Sequence, residues 1–345
     1  MKNKFSKKIK IGSKIVSENS PVFIIGEIGS NHNLSMKTAK ALIDVGARAG
    51  LDAVKFQFLK FDELYLPGRQ TKHLQELHKK IDLPESCFAE LSSYAKKRGL
   101  IFLSSPTYFK AVDLLEKLNV PAYKVASPIT VGYGSLLVKI AKTKKPLIVS
   151  SGYCTMREID RAMRLVLKTG NKKIILLHCV SGYPTLPHDV NLRFMKTLQK
   201  RYNCIVGFSD HTLSVSNPAV AAVLGARVIE KHYTLSRKLK GPDHRFALEL
   251  DELAAMVKNI REAEQILGQG KNRKILPAEK KMKEIVMMKL VAARDIPAGT
   301  ILKKEYIVFL RSPGGIEEFR VDKFIGRMVT KRIKKMTLIR AVNFK

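Results

Sequence analysis

Short apolar runs rich in β-branched residues alternate along this chain with stretches whose apolar residues recur every three or four positions, the marks of strand and amphipathic helix. The apolar runs fall at 22–28, 53–58, 101–104, 122–126, 147–150, 174–179, 204–208 and 228–232. Helical patterns fall between and after them, at 36–49, 86–97, 110–118, 135–142, 157–168, 192–202, 214–224 and 251–267. Eight strand-helix units in succession predict a parallel sheet. Continuous runs such as Ile174-Ile175-Leu176-Leu177 predict strands covered on both faces. The fold class expected is α/β, a (β/α)8 TIM barrel of the usual size of about 250 residues. A doubly wound open sheet is the alternative; the chain carries neither the G-x-G-x-x-G dinucleotide fingerprint nor a G-x-x-x-x-G-K-[ST] phosphate loop.

The pattern changes after Gly268. Residues 268–285 are polar, lysine-rich and contain Pro277, as a linker would. From 286 to 345 short β-like runs follow, with turn signals at Pro297-Ala298-Gly299 and Ser312-Pro313-Gly314-Gly315. The expected organisation is a barrel over 1–267, a linker over 268–285 and a small β-rich domain over 286–345.

Composition narrows the class. With 45% hydrophobic and 27% charged residues, the chain is an ordinary folding sequence, neither collagenous nor disordered. Its net charge of +33 would attract polyanions. The basic residues are nevertheless spread along the chain in pairs such as Lys79-Lys80 and Lys144-Lys145, without blocks interleaved with aromatics, so no specific nucleic-acid partner is expected. Cys87, Cys154, Cys179 and Cys204 form no C-x-x-C pair, which argues against a disulfide framework or structural zinc. The basic N-terminus lacks the apolar stretch of a signal peptide, and no run approaches the roughly 18 residues of a membrane span. A soluble, cytoplasmic protein that does not bind membranes is the expectation.

In a barrel the working groups stand at the C-terminal ends of the strands. Polar residues gather there: Glu27 and Asn31-His32-Asn33, then Lys55 and Gln57, Ser104-Ser105, Lys124 and Ser127, Ser150-Ser151-Gly152, His178 to Ser181, Ser209-Asp210-His211, and Glu230-Lys231-His232. Polar groups inside apolar strands are costly unless a site or a hydrogen bond satisfies them. Lys55 and Lys124 with several hydroxyls suit a phosphate or carboxylate, although ion pairing with Glu27 or Glu230 would account for either lysine alone. His211 and His232 end neighbouring strands about 4.8 Å apart and could converge on one divalent ion, or could each be satisfied core residues.

Taken together, these motifs resemble one family. Gly26-Glu27-Ile28-Gly29-Ser30-Asn31-His32-Asn33, Asp52-Ala53-Val54-Lys55-Phe56-Gln57, Tyr123-Lys124-Val125-Ala126-Ser127, Leu177-His178-Cys179-Val180-Ser181-Gly182-Tyr183-Pro184, Gly207-Phe208-Ser209-Asp210-His211-Thr212, Ile229-Glu230-Lys231-His232-Tyr233-Thr234 and Gly241-Pro242-Asp243-His244 are similar to sialic acid (N-acetylneuraminate) synthases, with legionaminic and pseudaminic acid synthases among them. The C-terminal part, with Ala298-Gly299-Thr300 and 304–311, resembles the antifreeze-like (SAF) domain of those synthases. The resemblance implies condensation of phosphoenolpyruvate with N-acetylmannosamine or a related 2,4-diacetamido hexose, giving a nine-carbon 2-keto acid and phosphate. It implies a divalent cofactor, Mn2+ or Mg2+, on His211 and His232. It places phosphoenolpyruvate among Lys55, Ser105, Lys124, Ser127, Ser150, Ser181 and Ser209, and the sugar among Glu27, Gln57, Tyr183 and Asp243. Arg311 matches an arginine that the family delivers into the barrel of a partner, so a domain-swapped homodimer is implied.

The sequence departs from the family at a few places. Where relatives follow the fourth-strand serine with a small and then an acidic residue, Ser127 is followed here by Pro128 and Ile129, and Leu34 stands where glycine is common. General acid–base help is worth about 10² to 10⁴ in rate, so Glu27 or a metal-bound water must cover that role, or the protein is slow, altered or inactive. Two other readings stay open: a non-catalytic, polyanion-binding degenerate barrel, and a barrel aldolase using Lys55 or Lys124 as a Schiff base.

Overall fold

Every apolar run forms a strand, and the strands take their order from a parallel ring. The chain opens on a hairpin of β1 (Lys8–Ile11) and β2 (Lys14–Ser17). There follow β3 (Phe23–Glu27), α1 (Met36–Ala49), β4 (Ala53–Phe58), α2 (Phe61–Leu64), α3 (Lys72–His78), α4 (Cys87–Lys97), β5 (Ile101–Pro106), α5 (Phe109–Lys117) and β6 (Tyr123–Val125). Next come α6 (Ser127–Gly132), α7 (Gly134–Lys142), β7 (Leu147–Ser150), α8 (Met156–Lys168), β8 (Ile174–Cys179) and α9 (Phe194–Tyr202). The series ends with β9 (Ile205–Asp210), α10 (Asn217–Val223), β10 (Val228–His232) and α11 (Leu250–Leu267). This computed structural model describes residues 5–268, 270 and 273–344.

The eight strands β3 to β10 run in the order β5-β4-β3-β10-β9-β8-β7-β6, so the first and last of them pair and β5 packs beside β6 at the seam. All the ladders are parallel, as in β10 on β3, where His232 sits opposite Glu27. This is a TIM barrel. Helix termini are set locally: Ser35 caps α1 by accepting from the Thr38 amide at 3.2 Å, and Thr155 and Glu158 form a reciprocal capping box at the start of α8.

Strand parity sorts the side chains. Positions of one parity, such as Ile24, Val54, Phe56, Val125, Leu176 and Ile229, pack outward under the helices. The opposite parity points into the barrel, where Phe23, Ile25, Ala53, Leu103, Ile148, Ile175, Leu177, Ile205 and Val228 form a separate inner cluster. The hairpin joins that inner cluster through Ile9, Ile11 and Val16 and so floors the barrel at its N-terminal end. Above this floor the same inward parity carries the polar residues.

The hairpin is absent from the expected elements because its strands are four residues each, with exposed lysines alternating with buried isoleucines in β1 and Val16 the one buried residue of β2. Helices α2, α3 and α6 are absent too. They are short pieces within connections, below the length at which a 3.6-residue period is readable.

The chain divides into two compact units, Met1–Gly268 and Gln269–Lys345. In the second unit, the stretch read as a linker carries α12 (Pro277–Val286), none of whose residues is buried. Strands β11 (Met288–Ala292) and β12 (Ile307–Arg311) then pair antiparallel over a small core of Leu290, Ile296, Leu302, Val329, Ile333 and Ile339. Among the described residues no helix is long and apolar enough to cross a membrane, and all four cysteines are free thiols.

Candidate active site

The upper, polar layer of inward positions encloses a cavity of about 200 Å³ at the C-terminal end of the barrel. Its walls include Glu27, Lys55, Gln57, Ser105, Lys124, Ser127, Ser150, Tyr183, Ser209, His211 and His232, drawn from the ends of all eight barrel strands or the loops beyond them. Ser181 lies beside them with its hydroxyl buried and without a hydrogen-bond partner. Asp243 lines a second cavity farther out. Arg311 belongs to the second unit, exposed at the end of β12.

Four opposed charges form the centre. Lys55 Nζ stands 2.5 Å from Glu27 Oε2 and 3.7 Å from Glu230 Oε2, and donates to Ser105 Oγ at 3.2 Å. Lys124 Nζ donates to Ser150 Oγ at 2.6 Å and lies 3.4 Å from Glu230 Oε1, which also accepts from Ser209 Oγ at 3.0 Å. Gln57 Nε2 donates to Glu27 Oε1 at 2.7 Å. The two carboxylates are pushed apart. Burial raises Glu27, with Glu230 adding to the rise and Lys55 only partly opposing it. Burial would raise Glu230 as well, but Lys124 and Lys55 on either side of it and the Ser209 hydroxyl hold it well below the ordinary carboxylate range. Burial also lowers Lys124, against the pull of Glu230. A carboxyl that accepts a proton readily beside one that stays ionised is the pattern of an acid–base group next to a fixed charge.

Next to the lysines is a cradle of small groups. A Cβ at Gly152 would stand 2.2 Å from Ser181 Oγ, 2.8 Å from Ser127 Oγ and 3.1 Å from Cys179 Sγ, so glycine alone leaves that space open. Hydroxyls converging on an open space next to two ammonium groups suit an anion.

The two histidines meet in the same cavity with ring centroids 5.5 Å apart, and Tyr183 packs on His211 at 4.3 Å. His211 Nδ1 donates to the Val180 carbonyl at 2.8 Å, which leaves Nε2 with the lone pair. His232 Nδ1 is buried without a hydrogen-bond partner, and burial holds this imidazole neutral. Two imidazoles with free lone pairs on one cavity wall fit a divalent ion whose remaining positions go to water and substrate oxygens. No cluster of three or more His, Cys, Asp or Glu residues completes an all-protein site among the described residues.

Parity also removes residues from the site. Ser104, His178 and Lys231, read from the sequence as polar groups at the mouth, point outward. Ser104 Oγ donates to the Phe56 carbonyl, His178 Nε2 to the Val190 carbonyl at 2.6 Å, and Lys231 is buried against Asp210 at 2.6 Å and the Ser214 carbonyl. Conversely, Glu230 and Cys179 line the cavity, although the sequence reading set Glu230 among the polar strand ends with no role there beyond ion pairing. The usable signal was their spacing of two from His232 and Leu177 on the same face. Ile129 is buried in the outer apolar cluster, so Glu27 and Glu230 are the carboxylates at the cavity among the described residues.

Comparison with known proteins follows the same lines. Residues 42–272 match the NeuB family and residues 289–345 the SAF domain. An uncharacterized protein of Methanocaldococcus jannaschii is 41% identical over 95% of this chain and 94% of its own length. The N,N'-diacetyllegionaminic acid synthase of Campylobacter jejuni is 36% identical over 92% of this chain and 98% of its own. Among solved structures, the N-acetylneuraminic acid (sialic acid) synthetase of Leptospira borgpetersenii superposes with a TM-score of 0.74 at 33% identity, covering 81% of this chain and 96% of that one.

Proposed function

This chain belongs to the NeuB family and is an enzyme of nonulosonic (sialic-type) acid synthesis, and from that premise we propose that it condenses phosphoenolpyruvate with an open-chain N-acetylated hexosamine and water, releasing phosphate. The observation that carries this reading is the convergence of Lys55, Lys124, Glu27, Glu230, His211 and His232 on one cavity at the C-terminal ends of the strands.

Lys55 and Lys124 bind the phosphate and carboxylate of phosphoenolpyruvate, with Ser105, Ser127, Ser150, Ser181 and Ser209 supplying the remaining donors. Glu230, held ionised between the lysines, fixes their positions. Gln57, Tyr183 and Asp243 orient the sugar so that its aldehyde faces the enol carbon, which converts a bimolecular encounter into a positioned one. Mn2+, or less favourably Mg2+, fits on His211 and His232, and when bound it polarises the aldehyde oxygen as a Lewis acid. The enol carbon of phosphoenolpyruvate forms the new carbon–carbon bond. Glu27 gives its proton to the aldehyde oxygen, which becomes a hydroxyl. Water then adds to the cationic pyruvyl carbon and returns a proton to Glu27. The tetrahedral centre expels phosphate, which carries off the hydroxyl proton as hydrogen phosphate, and leaves the keto group. In this cycle Glu27 does the proton work that relatives place at the position of Ile129.

In the same reading, the chain works as a homodimer in which Arg311 of one copy completes the cavity of the other, a guanidinium fork gripping polar substrate oxygens.

The test is phosphate release from phosphoenolpyruvate with and without Mn2+, with N-acetylmannosamine and 2,4-diacetamido-trideoxyhexoses, and with His211→Ala. Metal-dependent release with a sugar, lost in the variant, is expected. Release that ignores both metal and sugar would overturn the reading. A second reading draws on the lowered Lys124: a Schiff base there would be trapped by borohydride in the presence of pyruvate.

A further inference from the structure

Between Glu230 and His232, which line the cavity, Lys231 turns the other way, and the mechanism above gives it no part. Its side chain and that of Asp210 have no exposure to solvent. The two are a cross-strand pair, opposite each other in the register of β9 and β10. The next residue on each strand is a histidine of the cavity, His211 after Asp210 and His232 after Lys231. The outward positions two residues earlier, Phe208 and Ile229, are apolar. A buried ion pair gains little stability over well-packed apolar residues, so packing alone does not call for charges at this place.

What the ammonium holds is a turn. Lys231 Nζ donates to Asp210 Oδ2 at 2.6 Å, to the Thr212 carbonyl, and to the Ser214 carbonyl at 3.2 Å. Asp210 Oδ1 accepts from the Thr212 amide at 2.9 Å, and Thr212 Oγ1 from the Ser214 amide at 3.1 Å. The residues on both sides of His211 are therefore tied to one enclosed charge. The His211 carbonyl accepts from the Thr185 amide at 3.0 Å, and its Nδ1 donates to the Val180 carbonyl, which leaves the ring a single direction.

We propose that Lys231, with Asp210, is a positioning residue for the divalent ion: from the outer face of the sheet it sets the place and direction of His211 relative to His232. This rests on the metal role given to the two histidines in the reading above. Among the described residues no cluster of three or more His, Cys, Asp or Glu forms around them, so no further protein ligand corrects an imidazole that wanders. A ligand held in place before the ion arrives loses no freedom when it binds. One residue serves both imidazoles. The backbone of Lys231 leads directly into His232, while its ammonium clasps the turn that carries His211.

The experiment compares the full chain with its double variant Asp210→Asn/Lys231→Met, which removes both charges together and so strands neither of them unpaired. The asparagine oxygen can still accept from the Thr212 amide, whereas methionine donates nothing to the two carbonyls. Thermal unfolding close to that of the parent is expected, because a merely structural pair is replaceable in this way. Free Mn2+ followed by electron paramagnetic resonance is expected to give a Kd raised about 10- to 100-fold, the range for groups that orient metal ligands, with the metal-free Kd for phosphoenolpyruvate unchanged. In metal-free protein carrying 15N-histidine, the parent shows His211 as one tautomer with its proton on Nδ1, identified by its loss in His211→Ala, and the double variant shows an averaged signal. Parental Mn2+ affinity in the folded double variant, or an unmoved His211 signal, would overturn the proposal. If the parent binds no Mn2+, or His211→Ala binds it as tightly, the metal reading fails, and the metal-free His211 signal alone upholds or sinks the positioning. If the double variant does not fold, hydrogen exchange of the parent decides. Slow exchange at the Thr212 and Ser214 amides without metal upholds the clasp, and protection that arrives only with Mn2+ sinks it.

Discussion

Replacing Gly152 by alanine puts one methyl group where three side chains already meet, and the geometry sets what it does. The new Cβ would lie 2.2 Å from Ser181 Oγ and 2.8 Å from Ser127 Oγ, both impossible contacts, and 3.1 Å from Cys179 Sγ. The two closest atoms are ends of side chains with one rotatable bond, so they turn away and the fold gives little. Overpacking of this mild kind costs about 1 kcal/mol, the low end of its range, or about 2–4 °C in Tm for a domain of this size. Binding suffers far more. Each hydroxyl that turns away removes a hydrogen bond to a charged ligand worth about 1.5–3 kcal/mol. Two of them remove about 3–6 kcal/mol, or about 10²- to 10⁴-fold in Kd at 1.4 kcal/mol per tenfold. The assay is calorimetric titration of phosphoenolpyruvate without acceptor, alongside thermal unfolding. Gly132→Ala, where a Cβ meets nothing within 4 Å, serves as control. A Gly152→Ala protein that binds phosphoenolpyruvate within about threefold of the parent would refute the cradle.

Three further outcomes are expected. Leu34 sits in the left-handed region at φ 58°, which costs a leucine about 1–2 kcal/mol, more than glycine's added chain entropy of about 0.5–1 kcal/mol; Leu34→Gly therefore raises the urea midpoint, and a lowered midpoint contradicts the strain. Burial lowers His32 from its ordinary 6.5 to about 4, against the raising pull of Asp243. Because the unfolded chain binds this proton first, the contribution of the neutral ring, about 3 kcal/mol, is intact above pH 6.5 and is lost as pH falls toward 4. His32→Phe keeps the stacking on Phe56 and flattens that slope, and an unchanged slope in denaturant titrations assigns the acid sensitivity elsewhere. Mixing His211→Ala with Arg311→Ala protein restores activity at roughly a quarter of the sites after subunit exchange if Arg311 acts across a two-fold dimer; no recovery places its action within one copy or outside catalysis.

Strand positions were legible because a parallel barrel covers both strand faces and writes them as unbroken apolar runs, as in Ile174 to Leu177. What such runs conceal is facing. Glu230, Lys231 and His232 look equivalent in sequence, yet the middle one is locked to Asp210 behind the wall while its neighbours line the cavity. The two-residue period of a strand contains that information once one member is anchored, and anchoring on Lys55 separates Ser105 from Ser104 through the pairing of β4 with β5. The hairpin and the helices α2, α3 and α6 left weaker traces. Their elements are short, and their apolar residues acquire a purpose only against distant parts of the chain.

The hairpin beneath the barrel has a kinetic meaning. With Ile9, Ile11 and Val16 sealing one end, every molecule entering or leaving must use the mouth, and the outer cavity occupies that route ahead of the inner one. Under the condensation proposed above, a sugar seated in the neck of Gln57, Leu59, Tyr183 and His232 that the two cavities share would bar the way for the smaller anion behind it. Turnover through such a single-file passage would proceed in a compulsory order, the deep substrate first and the long one second. Excess acceptor would then act as its own inhibitor, competing with phosphoenolpyruvate for the passage rather than for the same seat.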